Sequence, residues 1–115
     1  MNKADVYLLR LMLEAAQDAQ SFIAGETRDS LDKDKKLLFA LTKSVETIGS
    51  VAAQVSDEAK AECSDVPWVE LIGLSASFTR VYFNIDPYLL WQTATRELPR
   101  IIPILERAIG ASDTP

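Results

Sequence analysis

The chain has 115 residues, of which 48% are hydrophobic and 25% are charged, and this composition is typical of one folded domain rather than of a disordered segment. The net charge of −5 is unfavourable for binding a phosphate backbone, because that affinity comes mainly from lysine and arginine. A single cysteine, Cys63, excludes an intrachain disulfide and a cysteine-based metal cluster. Because we find no secretory signal and no long apolar span, we expect a soluble, cytoplasmic protein.

The first predicted helix runs from about Lys3 to Ile23 and stops at Gly25, a residue that readily takes the left-handed conformation of a helix end. Its apolar residues recur at helical spacing and form a wide stripe, which indicates contact with two neighbouring helices. The stripe consists of Val6, Leu9, Met12, Leu13, Ala16, Ala19 and Ile23.

The second predicted helix begins near Ser30 and runs to about Val55. Its apolar residues alternate steps of three and four, a seam that is typical of two long helices packed nearly antiparallel. The seam consists of Leu38, Leu41, Val45, Ile48, Ala52 and Val55.

Two further helices are predicted between residues 56 and 83. Ser56 is suited to cap a short helical piece that ends near Ala61. A central helix follows over about Pro67 to Phe83, and proline is favoured at a first helical position, where its missing N–H has no intrahelical partner.

The C-terminal part contains prolines that punctuate a helical pattern. Pro87 opens a helix, and Pro99 and Pro103 predict a kink or a restart near Leu98, since each proline removes a backbone donor. Gly110 closes the last apolar stripe. The sequence therefore predicts an all-α fold, an up-and-down bundle of four or five helices over residues 1–110, with a flexible tail at 111–115.

The central helix carries a family resemblance. The segments PWVELIGL (67–74) and YFNID (82–86), followed by Trp91, resemble the HepT family, the DUF86 branch of the HEPN-type ribonuclease toxins. The resemblance implies a HEPN/HepT-like helical bundle, a role in a toxin–antitoxin system and a homodimer in which the two motif helices face each other across a cleft.

The catalytic motif of the family is altered in this chain. In the family this helix carries an Arg, then four residues, then His-x-Tyr; the same register places Ser75 at the Arg, Arg80 at the His and Tyr82 at the Tyr. The resemblance implies that the His transfers protons and that the Arg holds phosphate, but the chain contains no histidine. Arg80 stays protonated at any useful pH and cannot replace an imidazole as acid or base. We therefore expect a degenerate ribonuclease site and a protein that acts through dimerisation and partner binding.

The resemblance gives Tyr82 a second role. In the family this tyrosine is the position at which a minimal nucleotidyltransferase antitoxin, MntA, attaches AMP. An MntA-like partner and a modified Tyr82 are therefore expected. The alternative is a tyrosine whose ring covers the core and whose hydroxyl bonds to water or backbone.

Two other functions remain open at the sequence level. One is an active endoribonuclease with a rearranged site that uses Arg80 and Tyr82 and draws on Arg96 or Arg100. The other is a nucleotide-binding helical dimer in which Arg80 contacts the anion. No cofactor and no metal site are predicted. The basic residues at 33, 35 and 36 alternate with acidic residues, and we interpret them as a solvated helix start.

Overall fold

The computed structural model of the chain describes residues 1–77 and 85–113, and the side chains of residues 1–74 and 85–111. Within these ranges the helices are α1 (Lys3–Ile23), α2 (Ser30–Lys33), α3 (Lys35–Ala52), α4 (Asp57–Glu62), α5 (Trp68–Ser77), α6 (Pro87–Gln92) and α7 (Leu98–Asp113), with a π-helical turn (Thr93–Glu97) between the last two.

Helix α1 has the predicted bounds, and both of its ends have a local cause. At the N-terminus the side chain of Asn2 accepts a hydrogen bond from the backbone N–H of Asp5 at 2.8 Å, which satisfies a donor that has no partner within the helix. Beyond the C-terminus Gly25 has a φ of 76°, a conformation that other residues rarely adopt.

The second predicted helix is wrong in one respect, because the structure divides it at Asp34. The backbone of Asp34 is extended (φ −128°, ψ 100°), and its carboxylate accepts from the N–H groups of Lys36 and Leu37 at 3.0 and 3.2 Å. Asp34 therefore caps α3 and separates it from the one-turn helix α2. Aspartate is among the strongest capping residues, and here its capping outweighs the continuation of the helical pattern.

The core lies between α1 and α3, which pack against each other over most of their length; α1 also packs against α7, and α3 against α5. The burial predicted for the seam of the second helix is confirmed, with Leu38 half-buried and the other positions buried. Val55, the last of them, lies three residues beyond the end of α3. The most completely buried side chains come from α1, α3, α5 and the run from α6 to α7. They are Leu9, Met12, Leu41, Val45, Ile48, Leu71, Leu90, Leu98, Ile101 and Leu105.

The short helix α4 is fixed to α1 by a buried carboxylate. Asp5 is 4% exposed and accepts from the backbone N–H of Ser56 at 3.0 Å and from its hydroxyl at 2.7 Å. The Ser56 hydroxyl oxygen in turn accepts from the N–H of Ala59 at 3.1 Å, as the predicted cap of α4. These bonds hold the pKa of Asp5 below its ordinary value, because both stabilise the ionised carboxylate.

The predicted irregularity near Leu98 is present as the π-helical turn. Because α6, this turn and α7 follow one another without a break, residues 87–113 form one long irregular helix, which begins at the Asp86 cap. Helix α7 continues past Gly110 to Asp113, since a glycine inside a helix costs only about 1 kcal/mol.

The all-α prediction is confirmed: the described residues contain helices and no strand. Four long helical segments, α1, α3, α5 and the run from α6 to α7, make the bundle, and α2 and α4 are short connections. In the ranges that the structure describes, no helix combines the length and the apolar character needed to cross a membrane.

Candidate functional site

Helix α5, which contains most of the segment PWVELIGL, lies at the edge of the bundle and packs chiefly against α3. Leu71 anchors it to the core with 2% exposure. Trp68 is half-buried, and its indole N–H donates to the backbone carbonyl of Cys63 at 3.0 Å. This bond ties the first turn of α5 to the preceding loop, so the direction in which the motif helix leaves that loop is fixed.

Of the three residues predicted for the site, one lies near the end of the described part of α5 and two lie beyond it. Ser75 is on α5, two residues before its last described position, and its side chain lies outside the described residues. Arg80 and Tyr82 lie outside them altogether. Their roles, including nucleotide attachment at Tyr82, stay predictions.

A groove runs between α5 and the irregular C-terminal helix. It is a cavity of about 370 Å³, within the range of small-molecule sites. Its walls are two helical faces, Pro67, Glu70, Leu71 and Leu74 on one side and Thr93, Glu97, Arg100 and Ile101 on the other.

The charged side chains of this groove are largely exposed, whereas Thr93 is buried and its hydroxyl donates to the carbonyl of Leu89 at 2.9 Å. The guanidinium of Arg100 is 3.7 Å from the carboxylate of Glu97, and both side chains are substantially exposed, at 68% and 47%. An exposed ion pair of this kind contributes at most about 1 kcal/mol. Arg100, which the sequence offered as an alternative phosphate ligand, is thus already beside a carboxylate, while Arg96 is exposed.

The π-helical turn that forms one wall of the groove has a traceable cause. In α-helical register the ring of Pro99 would clash with the carbonyl four residues before it. The chain widens instead, and the N–H of Leu98 donates to the carbonyl of Thr93, five residues back. The next donor in this register would be residue 99, a proline without an N–H. The carbonyl of Ala94 accepts instead from the side-chain amide of Gln20 on α1, at 2.6 Å.

Sequence reasoning missed Gln20. Its signal is only a polar residue on an otherwise ordinary helix, and its partner is 74 positions away. The bond matters because Ala94 is fully buried, and an unpaired carbonyl there would be costly.

The remaining polar groups are structural or exposed. Arg28 donates to the carboxylate of Asp32 and lies 4.2 Å from the ring centre of Tyr88, a cation–π contact between the loop after α1 and the start of α6. The lysines at 33, 35 and 36 are exposed. In the described part of the chain, no group of three or more acidic, cysteine or histidine side chains is placed to hold a metal ion.

Cys63 is a poor nucleophile in this setting. Its thiol is half-buried, and burial, with a smaller contribution from nearby Glu62, raises its pKa above the ordinary value. A raised pKa lowers the fraction of thiolate, which is the reactive form. The interpretation of Cys63 as a structural residue is therefore the one that its surroundings favour.

Comparison with known proteins decides the family. Residues 12–108 match the family described as Ribonuclease HepT-like, a range that covers α5 and most of the bundle. The chain belongs to the HepT-like family. The resemblance inferred from PWVELIGL, YFNID and Trp91 is thereby confirmed.

Several curated relatives match over most of this HepT-like chain. A Methanocaldococcus jannaschii protein provisionally named as an RNase is 29% identical over 102 residues, which is 88% of this chain and 94% of that protein. A second M. jannaschii protein with the same provisional name is 29% identical over 110 residues, 95% of this chain and 91% of its own length. A Thermococcus cleftensis protein provisionally named ribonuclease HepT is 28% identical over 68 residues, 59% of this chain and 62% of that protein. No solved structure matches the chain.

Proposed function

We propose that this protein is a cytoplasmic toxin-family component of a toxin–antitoxin system whose ribonuclease site is degenerate. The observation that carries the proposal is the combination of membership in the HepT-like family with a sequence that contains no histidine. The family's cleavage of RNA depends on a group that both takes and gives a proton near neutral pH, and imidazole is the side chain suited to that role. With Ser75 and Arg80 at the Arg and His positions, the chain keeps the helical scaffold and lacks the proton-transfer group.

The remaining function is dimerisation and binding of a partner. The support for a homodimer is the composition and position of α5: its described segment reads WVELIGLSAS, apolar almost all round, yet it lies at the edge of the bundle and packs chiefly against α3. The side chain of Val69 is 84% exposed on it. A second copy of the chain would cover this surface. The proposed heterologous partner is an MntA-like nucleotidyltransferase, which would attach AMP to Tyr82.

A restoration experiment tests the degenerate site. Purified protein should leave RNA intact, and the double variant Ser75→Arg/Arg80→His should cleave it if the missing groups are the only defect. The matched control is Ser75→Arg/Arg96→His, which adds the same two residue types but places the imidazole on an exposed arginine outside the motif. Activity in the restored variant alone supports the proposal. Cleavage by the unmodified chain would refute it.

An active endoribonuclease is the second candidate, and the names of the relatives favour it, since the curated proteins quoted above are provisionally named as ribonucleases. In that case the unmodified chain cuts RNA, and Arg80→Ala or Tyr82→Phe abolishes the cleavage. The partner relationship has its own readout. Co-expression with an MntA-like enzyme should add mass in multiples of one AMP unit, and Tyr82→Phe should prevent the addition.

A further inference from the structure

A second groove lies between α1 and α3, on a surface to which α5 contributes no lining residue. It is a cavity of about 330 Å³, and every residue that lines it belongs to one of these two helices. Its floor is apolar, since Ala15 and Val51 are buried and Leu11 is half-buried. The groove is therefore an apolar strip on a surface that α1 and α3 form by themselves.

The two rims of this groove carry opposite charges. Glu14 and Asp18 are exposed on the α1 side, and Lys43 is exposed on the α3 side. Among the described residues, none of these three side chains takes part in an ion pair. An acidic rim and a basic rim that do not pair with each other remain available to charged groups on another molecule.

The opposite charges lie at the same height along the two helices. The Asp5 carboxylate at the start of α1 is bonded to Ser56, beyond the end of α3, so the helices run antiparallel. Asp18 and Lys43 are the same number of residues from this bond, and the rise per residue is the same in both helices. Asp18 is therefore level with Lys43 across the groove.

Two exposed phenylalanines continue this surface toward the end of α1. Phe22 is 38% exposed and Phe39 is 47% exposed, and the same count from the Asp5 bond places them level with each other. At about 100° per residue, Phe22 points within about 40° of Asp18, and Phe39 points within about 40° of Lys43. The surface thus presents a charged pair and, one turn further on, an aromatic pair.

We propose that this surface, the α1–α3 groove together with Phe22 and Phe39, binds the same surface of a second copy of the chain. A two-fold axis that runs along the groove, parallel to the helices, lays α1 of each copy on α3 of the other without a change of height. Asp18 of one copy then meets Lys43 of the other, and Phe22 meets Phe39. The surface is complementary to itself in charge and in apolar area, and this makes a second copy the occupant.

The contact is small and does not depend on the proposed homodimer through α5. From Leu11 to Phe22 the surface is about 17 Å long, and two adjacent helices are about 20 Å wide. This area is below the roughly 800 Å² per partner of a standard interface. The contact therefore belongs to the weak class, and its test needs a high protein concentration.

The test uses two charge-reversed variants, each of which repels itself and attracts the other. Lys43→Glu and Asp18→Lys should each self-associate about tenfold more weakly than the unmodified chain, because like charges then meet at both ends of the contact. In an equimolar mixture both pairs are again of opposite charge, so association should return to within about threefold of the original. Sedimentation equilibrium up to millimolar concentration measures these constants, and reversal of an exposed charge on α7, Arg107→Glu, should leave them unchanged.

The mixture decides between a contact with another copy and an effect inside one chain. A mixture that associates no more tightly than either variant alone overturns the proposal, and so does an unmodified chain with no association step that Lys43→Glu weakens. Val69→Asp, at a position of α5 that is 84% exposed, should abolish pairing through α5 and keep the step that depends on Lys43. Loss of that step in Val69→Asp would also overturn the proposal. Urea denaturation followed by circular dichroism checks that every variant is folded.

Discussion

The hydrogen bond between the side-chain amide of Gln20 and the carbonyl of Ala94 should contribute substantially to the stability of the fold. It spans 2.6 Å between α1 and the π-helical turn, and its acceptor belongs to a fully buried residue. Removal of the donor leaves a buried carbonyl without its partner, which costs about 1–3 kcal/mol. We therefore expect Gln20→Ala to lower the free energy of unfolding by about 2 kcal/mol, even though alanine is the better helix former.

The need for this hydrogen bond is explained by Pro99. Gln20 is needed because Pro99 has no N–H to offer the Ala94 carbonyl in the register of the π-helical turn. In a Pro99→Ala background residue 99 has an N–H, and the segment is free to satisfy its carbonyls along the helix. In that background Gln20→Ala should lower the free energy of unfolding by a smaller amount. The double-mutant cycle should therefore give a coupling energy between Gln20 and Pro99 of about 1 kcal/mol or more.

Urea denaturation followed by circular dichroism measures the four proteins of the cycle. Gln17→Ala is the matched control, because Gln17 is exposed on the same helix and its replacement reports helix propensity alone. The reasoning is refuted if Gln20→Ala costs no more than Gln17→Ala. It is also refuted if Gln20→Ala costs the same in both backgrounds, because Pro99 would then have no part in the need for Gln20.

Two other contacts give measurable stability changes. Asp5→Asn should lower the free energy of unfolding by about 2 kcal/mol at neutral pH, because it weakens the hydrogen bonds to Ser56. Since the pKa of Asp5 is lowered in the folded protein, this stabilisation is present above an ordinary aspartate pKa of about 3.9 and is lost as the pH falls below it. Urea denaturation at several pH values measures the difference in free energy of unfolding between the unmodified chain and Asp5→Asn. A difference that stays constant in acid, or one equal to that caused by Asp18→Asn at an exposed position, contradicts the prediction. Asp34→Ala should cost about 0.5–2 kcal/mol by removal of the α3 cap, whereas Asp29→Ala, whose side chain makes no capping bond, should cost less; equal losses in thermal unfolding would argue against the capping role.

Local signals in the sequence were sufficient for much of the fold. Asn2 and Gly25 bound α1 through short-range hydrogen bonding and a backbone conformation that glycine favours, and the cap at Ser56 is equally local. Asp34 shows the limit of this reasoning. Its neighbours continue a helical pattern on both sides, and the competition between continuing the helix and capping a new one depends on how α2 and α3 meet the core.

For the candidate site, the sequence identifies the motif positions but not their surroundings. The resemblance to the family identifies Ser75, Arg80 and Tyr82 as motif positions, because the register of PWVELIGL against YFNID is a property of the sequence. It does not reveal what surrounds them. The groove between Glu70 and Arg100 joins residues from α5 and α7, and no local pattern predicts that these two helices leave a cavity rather than packing together.

The sequence alone determined the helical class of this protein, the motif helix and the lack of an imidazole, because composition and periodicity are carried by each segment separately. Only the tertiary structure decided that the Asp5 carboxylate fixes α4 to α1, that Gln20 supplies the donor that Pro99 lacks, and that Val69 and Gly73 face outward. Each of these depends on which distant segments come into contact, and that is set by the packing of the whole chain.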